Sequence, residues 1–193
     1  MKADAILRVT EALKKRLEIA LTRSGVPGTV FVGPLDDADV SGAALILFLY
    51  RITPNPSLRN REHRVSTVGT PPVLVFQNAM PLDLYFLITV GTRPGASEEI
   101  PLRALGFVMQ ELQAAPDLNG AGVNHETVRV SLEPLTTDEA SRIWNLFPTA
   151  NYRTSIAYLA TPVWIDPPLA AAEAAPVVQD QLRAGHAVVE ATP

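Results

Sequence analysis

The sequence predicts an α/β protein of the α+β type: a single domain with one mixed β-sheet flanked by helices, followed by an extended C-terminal tail. Two patterns predict the domain. Apolar residues recur at helical spacing in some segments, and short β-rich apolar runs separate those segments. A third observation predicts the tail, because the chain becomes rich in Ala and Pro after Asp166. We therefore expect the domain to cover residues 1–166 and the tail residues 167–193.

One helix and two strands are predicted in the N-terminal part of the chain. A stripe of apolar residues predicts an amphipathic helix from about Asp4 to Thr22, and the turn sequence SGVPG ends it. TVFVG, residues 29–33, predicts a short strand, and PLDDADVSG predicts a loop. AALILFLYRI, residues 43–52, is apolar on both faces and predicts a central strand. The residues of the helical stripe are Ile6, Val9, Leu13, Leu17 and Leu21.

A proline-rich connection and two strands are predicted next. Residues 53–72 contain four prolines, and a connection of this length in a compact domain is usually functional or disordered. VLVFQ, residues 73–77, predicts a strand, and PLDLYFLITVG, residues 81–91, alternates as a strand with two faces does. One face carries Leu82, Leu84, Phe86, Ile88 and Val90, and the other carries Asp83, Tyr85, Leu87 and Thr89.

A helix and a strand follow. Apolar spacing predicts a helix from Glu98 to Ala114, and PDLNGAGVN ends it. TVRVSL, residues 127–132, predicts an alternating strand. The residues expected to face the core are Leu102, Leu105, Met109 and Leu112 on the helix, and Val128, Val130 and Leu132 on the strand.

A short helix and a last strand complete the predicted domain. Thr136 and Glu139 form a capping box at the start of a helix that carries Ile143, Trp144 and Phe147. YRTSIAYLATPVWID, residues 152–166, predicts a strand that is broken at Pro162, because proline cannot donate a ladder hydrogen bond. No internal repeat interrupts this order of elements.

Composition excludes several classes of function. The net charge of −4 lacks the basic excess of a nucleic-acid binder. The absence of Cys excludes disulfides, thiol nucleophiles and thiolate metal sites. No uncharged stretch predicts a membrane span and the N-terminus lacks a signal-peptide core, so we expect a soluble protein made in the cytoplasm. A hydrophobic fraction of 47% with mean hydropathy +0.14 favours a protein that buries surface against partners.

No motif predicts catalysis, a cofactor or a metal ion. His63, His125 and His186 lie outside the HExxH and HxH settings, and we expect them to be solvated loop residues. DDAD, residues 36–39, lacks the spaced oxygens and distal glutamate of a calcium loop and is expected to be solvated. Phosphate-binding loops and nucleophile elbows are also absent from the sequence.

The stretch FLYRITPNPSLRN, residues 48–60, is unusual because an apolar strand runs directly into a polar loop stiffened by two prolines. Residues 59–64, RNREHR, add a basic cluster without the interleaved aromatic residues of a single-strand nucleic-acid site. Two interpretations remain: a solvated loop face, or a loop that docks against an acidic protein surface. A stiff loop loses less conformational entropy on docking, which favours affinity.

The same stretch opens a series of blocks that resembles a small family encoded in extracellular contractile injection system clusters. These clusters specify phage-tail-like particles of the antifeeding-prophage and virulence-cassette types. The blocks are LFLYRITPNPSLRN, PLDLYFLITVGT, ALGFVMQELQAAPDL and VRVSLEPLTTDEASRIWNLFPTANYRTSIAYLATPVWID, and the resemblance covers residues 5–166. The chain departs from the family pattern at VFQNAM and at Pro162, which leaves the edge of the sheet open to local differences.

The resemblance implies a fold like that of phage tail terminators and a structural role without enzymatic activity. It implies a cap that forms a hexameric ring on the last layer of tube and sheath, stops tube growth and anchors the sheath. The implied partners are further copies of the chain, the inner tube protein and the sheath protein, with no nucleic acid and no membrane span. The implied location is the bacterial cytoplasm during assembly and then the assembled particle.

Two segments are predicted to make the contacts of such a cap. The first is the loop after strand 43–52, and the second is the tail, where HAVVEA, residues 186–191, alternates like a strand that adds to an open sheet edge of a neighbour. The predicted interface residues are Arg51, Pro54, Asn55, Pro56, Leu58, Arg59, Asn60, Arg61, Val188 and Val189. Alternative functions are another tail-completion or tube-initiating factor of the same particle, or a small ligand-binding domain.

Overall fold

A six-stranded sheet forms the centre of the computed structural model, which describes residues 3–66, 73–91, 99–168 and 172–174. In chain order the strands are β1 (Val30–Val32), β2 (Leu45–Pro54), β3 (His63–Ser66), β4 (Val73–Phe76), β5 (Met80–Val90), β6 (Asp117–Leu118), β7 (Val128–Glu133), β8 (Ser155–Ile165) and β9 (Ala172–Ala174). The large sheet has the spatial order β1-β2-β5-β8-β7-β6. Its β1–β2 pair is parallel and its other pairs are antiparallel, so the predicted mixed sheet is confirmed.

Two helices cover one face of this sheet, and the prediction of a sheet flanked by helices is confirmed. They are α1 (Ala5–Ser24) and α2 (Glu99–Ala114), and α1 ends where Gly25 takes the left-handed conformation at φ 69°. The nearly buried carboxylate of Glu111 on α2 accepts hydrogen bonds from Arg16, at 3.2 Å, and from Arg23, which ties the two helices together. The larger core cluster lies between these helices and the sheet, and includes Val9, Leu13, Leu17, Leu84, Phe86 and Ile88.

A short helix and a loop cover part of the opposite face. The helix is α3 (Thr137–Trp144), and its predicted capping box is confirmed: the Thr136 hydroxyl accepts from the Glu139 N–H, and the Glu139 carboxylate accepts from the Thr136 N–H. A second core cluster forms beneath it, in which Ile143, Trp144 and Phe147 meet residues of the loop and the sheet, Leu35, Val40, Ile46, Leu87 and Ala157. The central strand β5 therefore buries apolar side chains on both faces.

The apolar stripe predicted for α2 is wrong in part. Leu102 and Met109 are 52% and 41% exposed, whereas Ala104 and Val108 are fully buried. The helix is apolar on two sides, and the side with small Ala104 and with Glu111 faces α1, because Glu111 meets the two arginines there. The inward position predicted for Leu132 is also wrong: Leu132 is 53% exposed, whereas Val128 and Val130 on the same face of β7 are buried.

The prediction of a single sheet missed a second one. Strands β3, β4 and β9 form a three-stranded antiparallel sheet in the order β3-β4-β9. Part of the predicted connection 53–72 is thus β-structure, because β2 runs on to Pro54 and β3 begins at His63. Strand β9 comes from the predicted tail and pairs with β4 of the same chain. Residues 175–193, with Val188 and Val189, lie outside the described residues.

Strand β8 continues through Pro162, although a break was predicted there. Leu82 pairs with Val163 and Leu84 with Ala160, so the ladder between β5 and β8 shifts register at Thr161 and Pro162. The proline sits where the ladder is irregular, and the strand tolerates it for that reason.

One long edge of β2 is open. Strand β1 pairs only with Leu45–Leu47, so among the described residues Phe48–Pro54 has strand β5 on one side and no strand on the other. None of the helices described is both long and apolar enough to cross a membrane.

Candidate assembly interface

A bulge in β2 lies just before the proline-rich loop. Leu49 pairs with Phe86 and Arg51 with Tyr85, so Tyr50 is an extra residue in the ladder. The guanidinium carbon of Arg51 lies 3.7 Å from the centre of the Tyr85 ring and 6.0 Å from that of Tyr50. Burial raises the pKa of the Tyr50 hydroxyl. Arg51 is exposed to solvent, and its guanidinium packs against two aromatic rings of its own domain.

The loop that follows, residues 55–62, is here named the platform loop, and Asn55 fixes its start. The Asn55 side-chain oxygen accepts hydrogen bonds from the N–H groups of Ser57, at 3.0 Å, and Leu58, at 3.1 Å. Its amide nitrogen donates to Asp83, at 2.9 Å, and to Thr161, at 3.2 Å. Because Asp83 is nearly buried, this network ties the first turn of the loop to β5 and β8.

His63 fixes the end of the platform loop. Its Nδ1 lies 2.6 Å from Asp166 Oδ1 and its Nε2 lies 3.4 Å from Glu126 Oε2. The imidazole stacks on the Trp164 ring with 4.7 Å between centres and 9° between planes. The expectation that His63 is a solvated loop residue is therefore wrong, because the pairing of β3 with β4 holds it against Trp164, where it is only 6% exposed.

The three polar residues at this position are also close enough together to be considered as metal ligands, since one ligand atom of each lies within 4.8 Å of the others. The two carboxylates, however, face different nitrogens of the His63 ring. An ion bound by one of these nitrogens would meet the carboxylate beside it, while the other carboxylate holds the opposite edge of the ring. The geometry is that of a polar clamp, in which one hydrogen bond and one longer polar contact join β3, the segment before β7 and the residue after β8.

Between its two anchors the platform loop is a polar surface. Leu58 is half-buried and accepts a hydrogen bond from the Arg61 N–H, at 2.9 Å, while the Arg59 and Arg61 side chains are exposed. Glu62 pairs with Arg64 at 3.2 Å. Among the described residues, no carboxylate lies within ion-pair distance of Arg59 or Arg61.

The ten residues predicted from the sequence therefore differ in role. Asn55 and Arg51 make contacts inside the domain, and Pro54 ends the open edge of β2. Pro56, Arg59, Asn60 and Arg61 form exposed surface around half-buried Leu58. Their role as an interface stays a prediction, and Val188 and Val189 lie beyond the described part of the chain. Sequence reasoning missed Asp83, Thr161, Glu126 and Asp166, because pairs separated by many positions leave no local pattern.

An open groove also lies along α1. Charged residues line it, among them Arg8, Glu11, Lys15 and Arg16, together with Leu118. Small-molecule sites are usually enclosed and mostly apolar, with a few convergent polar groups. This groove is instead open and rimmed by solvated charges, which does not favour a ligand pocket.

Comparisons with known proteins identify related folds. The family description "Pvc16 N-terminal domain" matches residues 8–179. Among solved structures, the chain is similar to the sheath/tube terminator of an extracellular contractile injection system, PVC, in its extended state, with a TM-score of 0.58 and 17% identity. It is also similar to the tube terminating cap of the anti-feeding prophage, AFP, with a TM-score of 0.57 and 19% identity. These alignments cover 96% and 91% of this chain.

The chain spans 65% and 60% of the lengths of those two proteins, which is less than two thirds of each. At these identities the similarity shows a shared fold. None of the curated proteins matches the sequence.

Proposed function

The chain belongs to the Pvc16 N-terminal domain family, and from this membership we propose that it caps the distal end of a contractile injection particle. In this role it forms a ring on the last layer of the inner tube, ends tube growth and anchors the final layer of sheath. The role is structural and needs no catalytic residue or cofactor. Its partners are further copies of the chain, the tube protein and the sheath protein.

The observation that carries the proposal is the platform loop. A cap needs a surface that fits the ring below without offering a template for further growth. The loop presents Arg59 and Arg61 from a backbone that is fixed at one end by Asn55 and at the other by His63. Little conformational entropy is then lost when the loop docks, which favours tight binding by a small surface.

Six copies in a ring are the arrangement we propose, because the ring must match the symmetry of the tube below it. Closed rings form from heterologous contacts, in which two different patches of each copy meet. The protein assembles in the bacterial cytoplasm and then remains in the particle.

The tail supplies a second contact in this proposal. Strand β9 holds the chain to its own domain as far as Ala174. Residues 175–193 follow, and fully extended they would reach roughly 60 Å at about 3.3 Å per residue. We place HAVVEA on an open sheet edge of a neighbouring subunit, with Val188 and Val189 in or next to the contact.

Deletion of the gene tests the proposal. We expect few particles, or tubes of uncontrolled length, in electron micrographs of the deletion strain, and recovery of length and number when the wild-type gene is returned. Particles of normal number and length without the protein would contradict a cap. A tube-initiating factor would give a different result, in which no tubes form at all.

A further inference from the structure

The longest open strand edge among the described residues belongs to β2. Strand β1 pairs with Leu45–Leu47, and no described strand pairs with the outer edge of Phe48–Pro54. In the described strands, each of the other open edges has at most four residues. Because Pro54 has no N–H, the six residues Phe48–Thr53 are the part of this edge that can pair with a further strand.

The two sides of this edge differ in polarity. Residues that pair directly across a ladder lie on the same face of the sheet. Leu49 and Ile52 pair with β5 residues of the larger core cluster, so both lie on the side of α1 and α2, where Ile52 is 45% exposed. Arg51 and Thr53 lie on the opposite side. A strand that completes the edge therefore needs apolar residues on the first side and tolerates polar residues on the second.

The tail segment HAVVEA, residues 186–191, has this pattern and this length. In an extended strand, alternate residues point to opposite faces, so one side of the segment is apolar and the other carries both polar residues, His186 and Glu190. The apolar side consists of Ala187, Val189 and Ala191. The segment has six residues, as has the part of the β2 edge that can pair.

The described part of the tail leaves the small sheet at the end remote from the large one. Strand β9 ends at Ala174, in the row of the small sheet that contains Ser66. The opposite end of β3 is His63, which stacks on Trp164 of the large sheet. Residues 175–185 then lead to HAVVEA, and they span roughly 36 Å when extended at about 3.3 Å per residue. This length is enough to reach a second copy.

From these observations we infer that residues 186–191 of one copy add as a seventh strand to the large sheet of the next copy, along the β2 edge Phe48–Thr53. The occupant of that edge is thus a second copy of this chain, with Val189 on the side of Ile52. The contact is heterologous, because the donating and accepting surfaces differ, and contacts of this kind can close into a ring. The inference rests on the proposed function and names the acceptor of the tail.

The added strand reinforces a ring that the folded domains also hold. One strand of six residues is small beside the interfaces of stable complexes, which bury about 1,200–2,000 Å². Copies that are linked by the strand bind the last layer of sheath as one multivalent unit, whereas unlinked copies detach singly. Loss of the strand should therefore leave rings that assemble but hold the sheath weakly.

Disulfide formation tests the contact, because the natural chain contains no Cys. We would combine Ile52→Cys with Val189→Cys in one full-length chain, purify capped particles and oxidise them. The expected result is a ladder of oligomers in non-reducing denaturing gels, which a reducing agent returns to monomer. The matched control is Ile52→Cys with Val188→Cys. It should give at least tenfold less ladder, because neighbouring strand residues point to opposite faces and a disulfide needs close Cβ atoms.

Two results of the oxidation would overturn the inference and leave the cap itself intact. A monomer that is linked within one chain would show that the tail covers its own β2 edge. Capped particles that give no disulfide, or equal ladders from the two pairs, would show that HAVVEA does not pair there. Failure of the cap role would appear instead as normal particles in the deletion strain.

Ring dissociation provides a second test that does not depend on disulfide geometry. Val189→Asp places a carboxylate beside Leu49 and Ile52, whereas Val188→Asp places it on the polar side of the edge. In native mass spectra, rings of the Val189→Asp variant should dissociate at a protein concentration at least tenfold higher than rings of the Val188→Asp variant. Equal dissociation of the two variants would overturn the inferred strand pairing.

Discussion

The guanidinium of Arg51 stacks on the ring of Tyr85, with 3.7 Å between the guanidinium carbon and the ring centre. The bulge at Tyr50 produces this contact, since it brings Tyr50 and Arg51 to the same face of the sheet. The first arginine of FLYRITPNPSLRN therefore makes its main described contact within its own domain. For the two later arginines, Arg59 and Arg61, no such contact is found within the described part of the chain, and they are the residues chosen for tests of docking.

Reversing the charge of Arg59 and Arg61 together should separate docking from folding. Both side chains are exposed, and exposed substitutions usually change stability by no more than about 0.5 kcal/mol. We expect a nearly unchanged melting temperature and defective capping in particle images. Reversal of the exposed cations Lys15 and Arg103 on the helical side serves as the control and should leave capping intact. Normal capping by the double platform variant would refute its docking role.

Asn55→Ala should destabilise the domain, because it removes the amide that donates to buried Asp83 and the oxygen that forms the turn. Loss of a partner of a buried polar group costs about 1–3 kcal/mol. Urea unfolding at neutral pH measures this difference. Asn60→Ala is the matched control, since Asn60 is exposed in the same loop, and should lie within about 0.5 kcal/mol of wild type. Equal stability of the two variants would show that the Asn55 network does not hold the loop.

Truncation after Ala174 should leave a folded domain, because β9 and both core clusters are retained. We expect the shortened protein to form rings but to attach poorly to the sheath. Circular dichroism and native mass spectrometry report folding and assembly, and co-purification with sheath reports attachment. If the shortened protein caps particles as well as the full chain does, residues 175–193 are not needed for the contact.

The capping box of α3 should give the protein a defined sensitivity to acid. The backbone N–H of Thr136, and then its hydroxyl, hydrogen-bond to the Glu139 carboxylate and lower its pKa. A carboxyl with a lowered folded-state pKa stabilises the fold above its unfolded-state pKa, and this contribution is lost as the pH falls through the folded value. Wild type should therefore exceed Glu139→Gln in stability at pH 7, and the difference should shrink toward pH 3.

Unfolding curves at a series of pH values measure that difference. The same Glu139→Gln change in a Thr136→Ala background is the control, because the hydroxyl contact is already gone. If the pH dependence of the difference is the same in both backgrounds, the Thr136 hydroxyl is not its source.

Replacing each of two glycines with Ala should change the stability of the domain in opposite directions. A Cβ at Gly91 would lie 1.8 Å from the carbonyl oxygen of Ala43, so Gly91→Ala forces apart backbone that pairs at the end of the sheet. We expect Gly91→Ala to lower the free energy of unfolding by about 1–3 kcal/mol. At Gly106, in the middle of α2, no atom lies within 4 Å of such a Cβ. Gly106→Ala should therefore raise the free energy of unfolding by about 0.5–1 kcal/mol. Thermal unfolding of both variants checks the signs, and a stabilised Gly91→Ala variant would contradict the close backbone approach.

Elements with a strong local signal were predictable from the sequence. The stripe of α1 and the alternation of β5 each repeat over many residues, and the capping box of α3 needs only Thr136 and Glu139. The buried face of α2 was not predictable, because Leu102 and Val108 are both apolar. The face that packs against α1 is the one with Glu111, whose arginine partners lie nearly a hundred positions away in the sequence. The His63 clamp was missed for the same reason, because Glu126 and Asp166 meet it only in the folded chain.

The central position of β5 also constrains how the chain folds during translation. Its neighbours in the sheet are β2, which is already synthesised, and β8, which begins roughly 65 residues later. At about 5–20 residues per second, translation needs on the order of several seconds to deliver β8. During that time the nascent chain displays an apolar strand with one unfilled edge, and this interval is when a chaperone would be most useful to it.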